Sequence, residues 1–596
     1  MSWILYVLAG IGSLIVAALL GGAVFWVLRR LRRHTLPHEI LLELELHGPI
    51  VERAPEASFA KLLGTDPTTI GNLTRALDRA KDDPRVKGII VNFGSPVIAL
   101  GHAQELRDAF VRFRGSKKLL VATTDTFGEG GPGNLLYFLA SACSAIYVQS
   151  SGDVGLMGLR LEQPFIKRAL DTLGVQARIG QRESYKNAPN MFLETGLTEA
   201  HKTSLSGLAN SIMSELTQGI AAGRNRPVPE VERWFNDGPF TATEALAKGI
   251  IDGVRYRDEV YDDVRKQAGE KAHLIYLDRY RAKLRPLKPT KNAPVVAVVR
   301  GSGAVQRHAA SESIPGRANE AFDASSVTAA LRAARRDEDV KAVLFRIDSP
   351  GGSYVAADSV WREVEATRLA GKPVIVSMVN AAASGGYFAA APATKVVAQP
   401  LTLTGSIGVF GGKVVFRDLA TKLGVDFDGI QTHANADMTS PTRDYTPGQR
   451  AELETQLDRI YDDFLGKVAT GRKLTLEETR AVAQGRVWTG REALANKLVD
   501  ALGGFEKAIE LVKVELKVTP ETRLALQDFP SAKSLWERVR GTPPANSEKL
   551  GVSAYVALGL VEVIEDAQRR SIAKLAQRLL AAVGIECSGV LPTRLS

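Results

Sequence analysis

A single serine, Ser384, stands in the stretch VNAAASGGYFAAAP, where alanine and glycine predominate. Small neighbours let a substrate backbone approach a nucleophile, although they also let two protein backbones pack closely. A serine hydroxyl is a weak nucleophile unless an adjacent base removes its proton. The chain has eight histidines, but none lies in a recognisable triad motif, and no G-x-S-x-G elbow surrounds the serine. Ser384 is therefore either a packing residue or a nucleophile whose base is not histidine.

Lysine can act as this base if burial lowers its pKa, because burial disfavours the charged ammonium group. The segment SYKNAPNMF places Lys186 beside Tyr185 and near Met191 and Phe192, which could shield the amine from water. A lysine is ordinarily a solvated surface charge. Lys186 becomes a candidate base only through an internal repeat of the sequence.

The chain contains two copies of one pattern. YFLASACSAIYV matches YFAAAPATKVVA, and GLMG matches GSIG, both at an offset of 250 residues. At this offset Ser384 is opposite Asn134, and Lys186 is opposite Ala436. Each copy keeps a polar group that its twin lacks. This pattern predicts a serine and lysine pair divided between the two repeats.

Acyl transfer also requires N–H donors for the oxyanion, and glycine-rich turns supply them without steric obstruction. FRIDSPGGS runs from a predicted strand into a Pro-Gly-Gly turn, so Gly351 or Gly352 is a candidate donor. Gly385, directly after the serine, is another. In TLTGSIGV, Ser406 could accept a hydrogen bond from the lysine and orient it. Ordinary turn formation explains both segments equally well.

The elements that must position these residues follow an α/β pattern. KGIIVNF and KAVLFRI are short apolar runs typical of buried parallel strands, and each follows a polar helical segment. The pattern predicts an α/β fold with crossover helices.

We divide the chain into five parts. They are an anchor with its basic flank at 1–34, a repeat carrying the lysine at 39–282, a Pro- and Lys-rich linker at 283–294, a repeat carrying the serine at 295–515, and an extension at 516–596 made of a loop and an amphipathic helix.

The N-terminal run WILYVLAGIGSLIVAALLGGAVFWVL, residues 3–28, contains no charge. It exceeds the roughly 20 residues that cross a bilayer as a helix, so we expect a transmembrane anchor. A cleaved signal peptide would have a basic start and a shorter apolar core. Arginines follow at positions 29, 30, 32 and 33, and the positive-inside rule would place the remaining chain in the cytoplasm.

Composition excludes several other classes. The net charge of +10 is spread along the chain without a nucleic-acid-binding motif, so we expect no nucleic-acid partner. Two cysteines, Cys143 and Cys587, cannot form a disulfide framework or a Cys-based zinc site. The sequence contains neither a Walker motif nor a His/Cys ligand cluster.

DSPGGS, AAASGGYFAA, LTLTGSIGVFGG and SYKNAPN, in a duplicated chain behind one N-terminal span, together resemble the long bacterial form of the signal peptide peptidase SppA family. The resemblance covers about residues 40–515. It implies two tandem domains of the Clp-protease and crotonase type, built from β-β-α spirals. It also implies that Ser384 is the nucleophile, that Lys186 is its base, and that Gly351, Gly352 and Gly385 provide the oxyanion donors.

The same resemblance implies a homotetramer without cofactor or metal that degrades cleaved signal peptides. It places the anchor in the inner membrane as a single span and the repeats in the periplasm, against the arginine rule. One segment departs from the family: this chain has KNAPNMF where members have a sequence like K-S-A-x-E-P-F, so a glutamate is missing.

Two alternatives remain open from the sequence. A crotonase-like acyl-CoA enzyme would use the backbone N–H groups without a serine nucleophile, and a non-catalytic membrane scaffold would use the repeats only to bind peptides. For the peptidase, we expect extended apolar peptides to bind as an added strand, with small or apolar side chains preferred.

Overall fold

The computed structural model describes residues 36–53, 68–269, 271–284, 287–308 and 321–530. The predicted anchor at 3–28 and the predicted helix of the C-terminal extension lie outside these ranges. Among the helices that are described, none is long and apolar enough to cross a bilayer.

The first repeat alternates strands and helices. Its strands are β1 (Ile40–Val51), β2 (Thr68–Thr69), β3 (Val86–Val97), β4 (Leu119–Thr124), β5 (Ala145–Val148), β6 (Asp153–Val154), β7 (Gln176–Gln181), β8 (Phe240–Thr241), β9 (Gly253–Val254) and β10 (His273–Tyr276). Its helices are α1 (Ile70–Asp82), α2 (Leu100–Arg114), α3 (Asn134–Ala140), α4 (Lys167–Leu173), α5 (Asn190–Leu193), α6 (Glu199–Arg224), α7 (Val228–Asp237), α8 (Ala242–Ala247), α9 (Arg257–Ala268) and α10 (Leu277–Lys283).

The second repeat follows the same plan. Its strands are β11 (Val295–Ser302), β12 (Ala304–Gln306), β13 (Ala321–Asp323), β14 (Val340–Ser349), β15 (Val374–Ala383), β16 (Lys395–Ala398), β17 (Leu403–Gly405), β18 (Phe410–Val415), β19 (Val487–Thr489), β20 (Ala501–Leu502) and β21 (Ala525–Phe529). Its helices are α11 (Ala324–Arg336), α12 (Tyr354–Leu369), α13 (Gly385–Ala390), α14 (Arg417–Lys422), α15 (Pro447–Arg472), α16 (Leu476–Val482), α17 (Gly490–Ala495) and α18 (Phe505–Glu515).

Each repeat has a parallel sheet at its centre, as the α/β pattern predicts. The first sheet has the order β10-β1-β3-β4-β5-β9, and β2 also pairs with β1. In the second, β21, β11, β14 and β15 lie side by side, and β15 pairs with both β16 and β17. The predicted strands KGIIVNF and KAVLFRI lie in β3 and β14, where most residues are buried. Helices cover both faces of such sheets, so their strands are almost continuously apolar.

The duplication is also visible in single contacts. The hydroxyl of Tyr137 donates to the carbonyl of Ile250 (2.6 Å), and the hydroxyl of Tyr387 donates to the carbonyl of Leu498 (2.9 Å). The long helices α6 and α15 each have 26 residues and a threonine N-cap. The two copies therefore share their packing as well as their sequence pattern.

The second sheet continues beyond residue 515, where the sequence placed the start of the extension. Strand β21 pairs in parallel with β11, with Val295 opposite Ala525 and Val299 opposite Phe529. In the first repeat β10 occupies the corresponding edge, beside β1. Residues 525–529 are thus part of the second repeat's sheet.

An antiparallel pair of strands connects the repeats. Strand β7 of the first repeat pairs with β18 of the second, from Gln176 opposite Val415 to Gln181 opposite Phe410. The chain that follows β7 carries Lys186. This pairing therefore determines where the lysine of one repeat meets the other.

Candidate active site

Ser384 lies between the end of β15 and the start of α13, in a backbone conformation with φ of 51°. Positive φ is uncommon for residues other than glycine and often marks functional sites. The backbone N–H of Ser384 donates to the carbonyl of Gly405 (2.9 Å), which fixes the turn against β17. The buried α13 begins directly after the serine, so its first N–H groups lie beside the hydroxyl.

Lys186 meets Ser384 across 198 residues of sequence. Its Nζ lies 3.2 Å from Ser384 Oγ, 2.9 Å from the carbonyl oxygen of Ser406 and 3.0 Å from Ser406 Oγ. A neutral amine has two N–H groups and one lone pair. When it donates to the two oxygens of Ser406, its lone pair is available for the proton of Ser384.

Burial lowers the pKa of Lys186 from 10.5 to about 8, and desolvation is the cause. The side chain is only 4% exposed. No carboxylate among the described residues forms an ion pair with it, so nothing there offsets the cost of burying the ammonium. The group is therefore a base with a pKa near neutrality.

The loop of Lys186 is held on both sides. Before it, Arg182 forms ion pairs with Glu454 (2.7 Å) and Asp458 of α15. The N–H of Tyr185 then donates to the carbonyl of Gln484 (3.1 Å). A Cβ at Gly485 would lie 2.5 Å from the backbone nitrogen of the lysine, so only glycine permits this approach.

The predicted oxyanion donors differ in their availability. The N–H of Gly351 donates to Ser349 Oγ (3.2 Å). Among the described residues, the N–H groups of Gly352 and Gly385 have no acceptor, and a Cβ at Gly385 would lie 3.2 Å from Gly352 N. Gly352 and Gly385 thus present two free donors next to the serine, whereas Gly351 stabilises the turn.

Gly351 and Gly352 also have conformations that other residues rarely adopt, with φ of 108° and 152°. A Cβ at Gly351 would lie 2.7 Å from Ser384 Cβ, and one at Gly352 would lie 2.3 Å from the carbonyl oxygen of Val305. The double glycine is therefore required by close packing as well as by backbone conformation.

Sequence reasoning missed a polar bridge directly before this turn. The pairing of β14 with β15 shifts register between Ile347 and Ser349. The carboxylate of Asp348 spans the shift: it accepts from the N–H of Ala381 (3.1 Å) and from Asn380 Nδ2 (2.7 Å). Burial raises the pKa of this carboxyl group. The only sequence signal was the aspartate in DSPGG, immediately before the turn.

A buried ionic cluster ties the repeats together behind the site. The guanidinium of Arg346, on β14, binds Glu52 (2.6 Å) and Glu105 (2.7 Å) of the first repeat. Burial opposes ionisation of Glu52, but the charge of Arg346 and the hydrogen bonds from His102 and Arg346 together outweigh it and lower the pKa of Glu52 to about 2. Removing one member of such a cluster leaves a charge buried without its partner.

The corresponding place in the first repeat lacks this chemistry. Asn134 stands where the second repeat has Ser384, and its amide bonds the carbonyl of Gly158 (2.6 Å) and the N–H of Met157 (3.0 Å). Ala436, the counterpart of Lys186, is exposed. Of the two equivalent places, only the one containing Ser384 combines a hydroxyl with an amine. In the described ranges no group of three or more His, Cys, Asp or Glu could hold a metal ion.

Comparisons with known proteins identify the family of this chain. The model of peptidase family S49 matches residues 112–271 and 366–519. The chain is 32% identical to Protease 4 of Haemophilus influenzae, over 76% of this chain and 74% of that protein. It is 29% identical to the chloroplastic serine protease SPPA of Arabidopsis thaliana, over 77% of this chain and 68% of that protein.

A shorter match covers only part of the chain. A putative signal peptide peptidase SppA of Enterococcus faecium is 32% identical over 34% of this chain and 59% of that protein. The resemblance in the sequence is thus confirmed at the level of the family. With the two-segment match across both repeats, this chain belongs to peptidase family S49 and is a serine protease of the duplicated SppA type.

Proposed function

We propose that this protease uses Ser384 and Lys186 as a catalytic dyad to cleave signal peptides and other short apolar peptides. The observation that supports the dyad is the 3.2 Å approach of Lys186 Nζ to Ser384 Oγ, in a place where burial lowers the lysine pKa to about 8. Ser406 holds the amine from the opposite side with two oxygens.

In the proposed reaction, Ser384 Oγ attacks the carbonyl carbon of the peptide bond while Lys186 takes the hydroxyl proton. The carbonyl oxygen becomes an oxyanion, which the N–H groups of Gly352 and Gly385 stabilise. The lysine then gives its proton to the leaving amine, and the C–N bond breaks. In the second half of the reaction, Lys186 takes a proton from a water molecule whose oxygen attacks the acyl carbon. The ester bond to Ser384 then breaks, Oγ regains a proton from the lysine, and the new carboxyl terminus is released.

The preference for extended peptides is supported by the small residues next to the serine. Ala381–Ala383, Gly385 and Gly386 place no bulky side chain beside the hydroxyl in sequence. A peptide bound as an added strand is recognised mainly through its backbone. The printed name of the Enterococcus faecium relative supports signal peptides as the substrate class.

We also propose that each repeat is a β-β-α spiral of the Clp-protease and crotonase type. A separate proposal concerns the membrane: residues 3–28 anchor the chain in the inner membrane by one span. The uncharged run of residues supports the anchor. If the repeats lie in the periplasm, protease added to spheroplasts should degrade the repeats. If they are protected until the membrane is broken, the orientation is the reverse.

The dyad is tested with purified full-length protein and a fluorogenic apolar peptide. Ser384→Ala and Lys186→Ala should each lower kcat by at least about 10³-fold, as loss of a catalytic nucleophile or base does in other serine proteases. Lys202→Ala, at an exposed lysine on α6, is the matched control and should keep full activity.

Labelling with a fluorophosphonate separates the possible outcomes. The wild type should be labelled at Ser384, and Lys186→Ala should be labelled far more slowly although it remains folded. Rapid labelling of Lys186→Ala would show that another base serves the serine. Cleavage of many peptides but not of signal peptides would retain the dyad and exclude the proposed substrate.

A further inference from the structure

A short turn directly before β19 lies between the loop of the lysine and the serine that orients its amine. The carbonyl of Gln484 accepts from the N–H of Tyr185 (3.1 Å), the residue before the lysine. Two residues later, the carbonyl of Arg486 accepts from the N–H of Ser406 (2.8 Å). The turn is thus bonded both to the loop of the base and to the serine that accepts from the base.

The backbone of this turn has an uncommon conformation. Gln484 has a φ of 51° and Gly485 has a φ of 76°. Positive φ at a residue other than glycine is rare and is found most often at functional sites. The N–H of Gly485 donates to the carbonyl of Ile407 (2.8 Å). The two left-handed residues therefore turn the chain so that Gln484 bonds the lysine loop, whereas Gly485 bonds the loop that contains Ser406.

The side chain of Arg486 adds a third connection. Its guanidinium carbon lies 4.1 Å from the ring centroid of Trp488 and 5.4 Å from the ring centroid of Tyr185. Arginine suits such contacts because its guanidinium group is planar and weakly hydrated. A Cβ at Gly207 of α6 would lie 3.1 Å from Nη2 of this arginine. The guanidinium group therefore contacts the first repeat, although the arginine belongs to the second.

The first repeat has no equivalent of this arginine. Thr241 and Thr489, the N-caps of α8 and α17, are equivalent, because each forms a capping box with a glutamate three residues later. Counted back from these two residues, Arg486 corresponds to Gly238. A Cβ at Gly238 would collide with the carbonyl oxygen of Leu156. The stacked arginine is thus present only at the place where a hydroxyl and an amine meet.

We propose that Arg486 is a positioning residue for the base: its guanidinium group, stacked on Tyr185, holds the loop of Lys186 closed against Ser406. This inference rests on the proposed dyad. The arginine acts through the lysine rather than on the reacting bond. Without the guanidinium group, the loop would separate from the turn, the amine would move away from Ser384 Oγ, and water would reach it.

Access of water distinguishes this role from a general contribution to stability. Desolvation alone lowers the pKa of Lys186 to about 8. Charges on its own loop (Arg182 and Glu183), on α15 (Glu454 and Asp458) and in the turn (Arg486) do not contribute to the shift. Water that enters would therefore raise the pKa of the amine towards 10.5, whereas loss of the arginine charge would not change it.

The pH profile of kcat/KM, measured with the full-length protein and the fluorogenic peptide, tests the proposal. Arg486→Ala should move the inflection upward by about one pH unit. The loss of kcat/KM should then be about tenfold greater at pH 7 than at pH 10. Arg486→Lys, which keeps a cation near the rings, should move the inflection less. Arg255→Ala is the matched control, because Arg255 lies over Tyr147 of the first repeat, also at 5.4 Å, and it should leave the inflection unchanged.

Variants of Tyr185 provide a second test. Tyr185→Ala should shift the inflection as Arg486→Ala does, and Tyr185→Phe, which keeps the ring, should not. The double variant with both alanines should lose no more activity than either single variant, because the two substitutions remove the same contact. Additive losses would show that the two side chains act separately and would refute the proposal.

The outcomes separate this inference from the proposed dyad. If Arg486→Ala leaves the inflection in place, or loses activity equally at every pH, the positioning role is wrong and the dyad stands. A raised KM with an unmoved inflection would assign Arg486 to substrate binding and would also contradict the proposal. If the wild type has no inflection near pH 8, or if Lys186→Ala stays active, the dyad fails and this inference fails with it.

Discussion

The titration of Lys186 leads to a quantitative prediction for the pH dependence of acylation. Burial lowers the pKa of this amine from 10.5 to about 8. At pH 7 about one-tenth of the molecules then have a neutral lysine, against roughly 0.03% at the unshifted value. We expect kcat/KM to rise about tenfold per pH unit below pH 7.5 and to level off above about pH 8.5.

The assay is hydrolysis of a fluorogenic peptide by the full chain between pH 5.5 and 10, with fluorophosphonate labelling of Ser384 as a second measure. Labelling reports the activated hydroxyl without product release, so both profiles should show the same inflection. A flat profile between pH 6 and 9, or an inflection below pH 7, would refute a lysine base in this environment.

The same shift predicts a stability effect. Because the folded-state pKa of Lys186 lies below the unfolded value, the unfolded chain binds more protons between pH 8 and 10.5, and the free energy of unfolding rises with pH in this window. The shift corresponds to about 3 kcal/mol. Lys186→Met should therefore unfold at higher urea concentration at pH 7 although it is inactive, and the gain should shrink by pH 10.5. An equal gain at both pH values would contradict the argument.

Three further predictions concern the groups around the dyad. Ser406→Ala should lower kcat by about 10–100-fold with little change in KM, because the amine loses one of its two oriented acceptors. Asp348→Asn should lower kcat, because the new amide would place an N–H donor against the Asn380 N–H donor. The double variant with Asn380→Asp should restore activity, because it reverses the direction of this hydrogen bond. Continued inactivity of the double variant would exclude the bridge. Gly352→Ala should abolish activity and lower Tm, because its Cβ would meet the carbonyl oxygen of Val305, whereas Gly371→Ala, at a glycine with open space around it, should affect stability only.

The α/β class, the duplication and the candidate serine could all be predicted before the chain was folded. These features can be read locally: strand and helix periodicity depends on neighbouring residues, and a repeat depends only on comparing the chain with itself. Lys186 was identified in the same way, because its counterpart in the other repeat is Ala436.

The way in which the catalytic groups meet depends on the folded chain. The pairing of β7 with β18 brings Lys186 to Ser384, and the surrounding protein, rather than any neighbour in sequence, lowers the lysine pKa by excluding water. The fold also distinguishes Gly352, whose N–H has no acceptor among the described residues, from Gly351, whose N–H is bound to Ser349. Register, burial and hydrogen-bond satisfaction depend on contacts between distant parts of the chain, and for this reason they emerge only when the chain is folded.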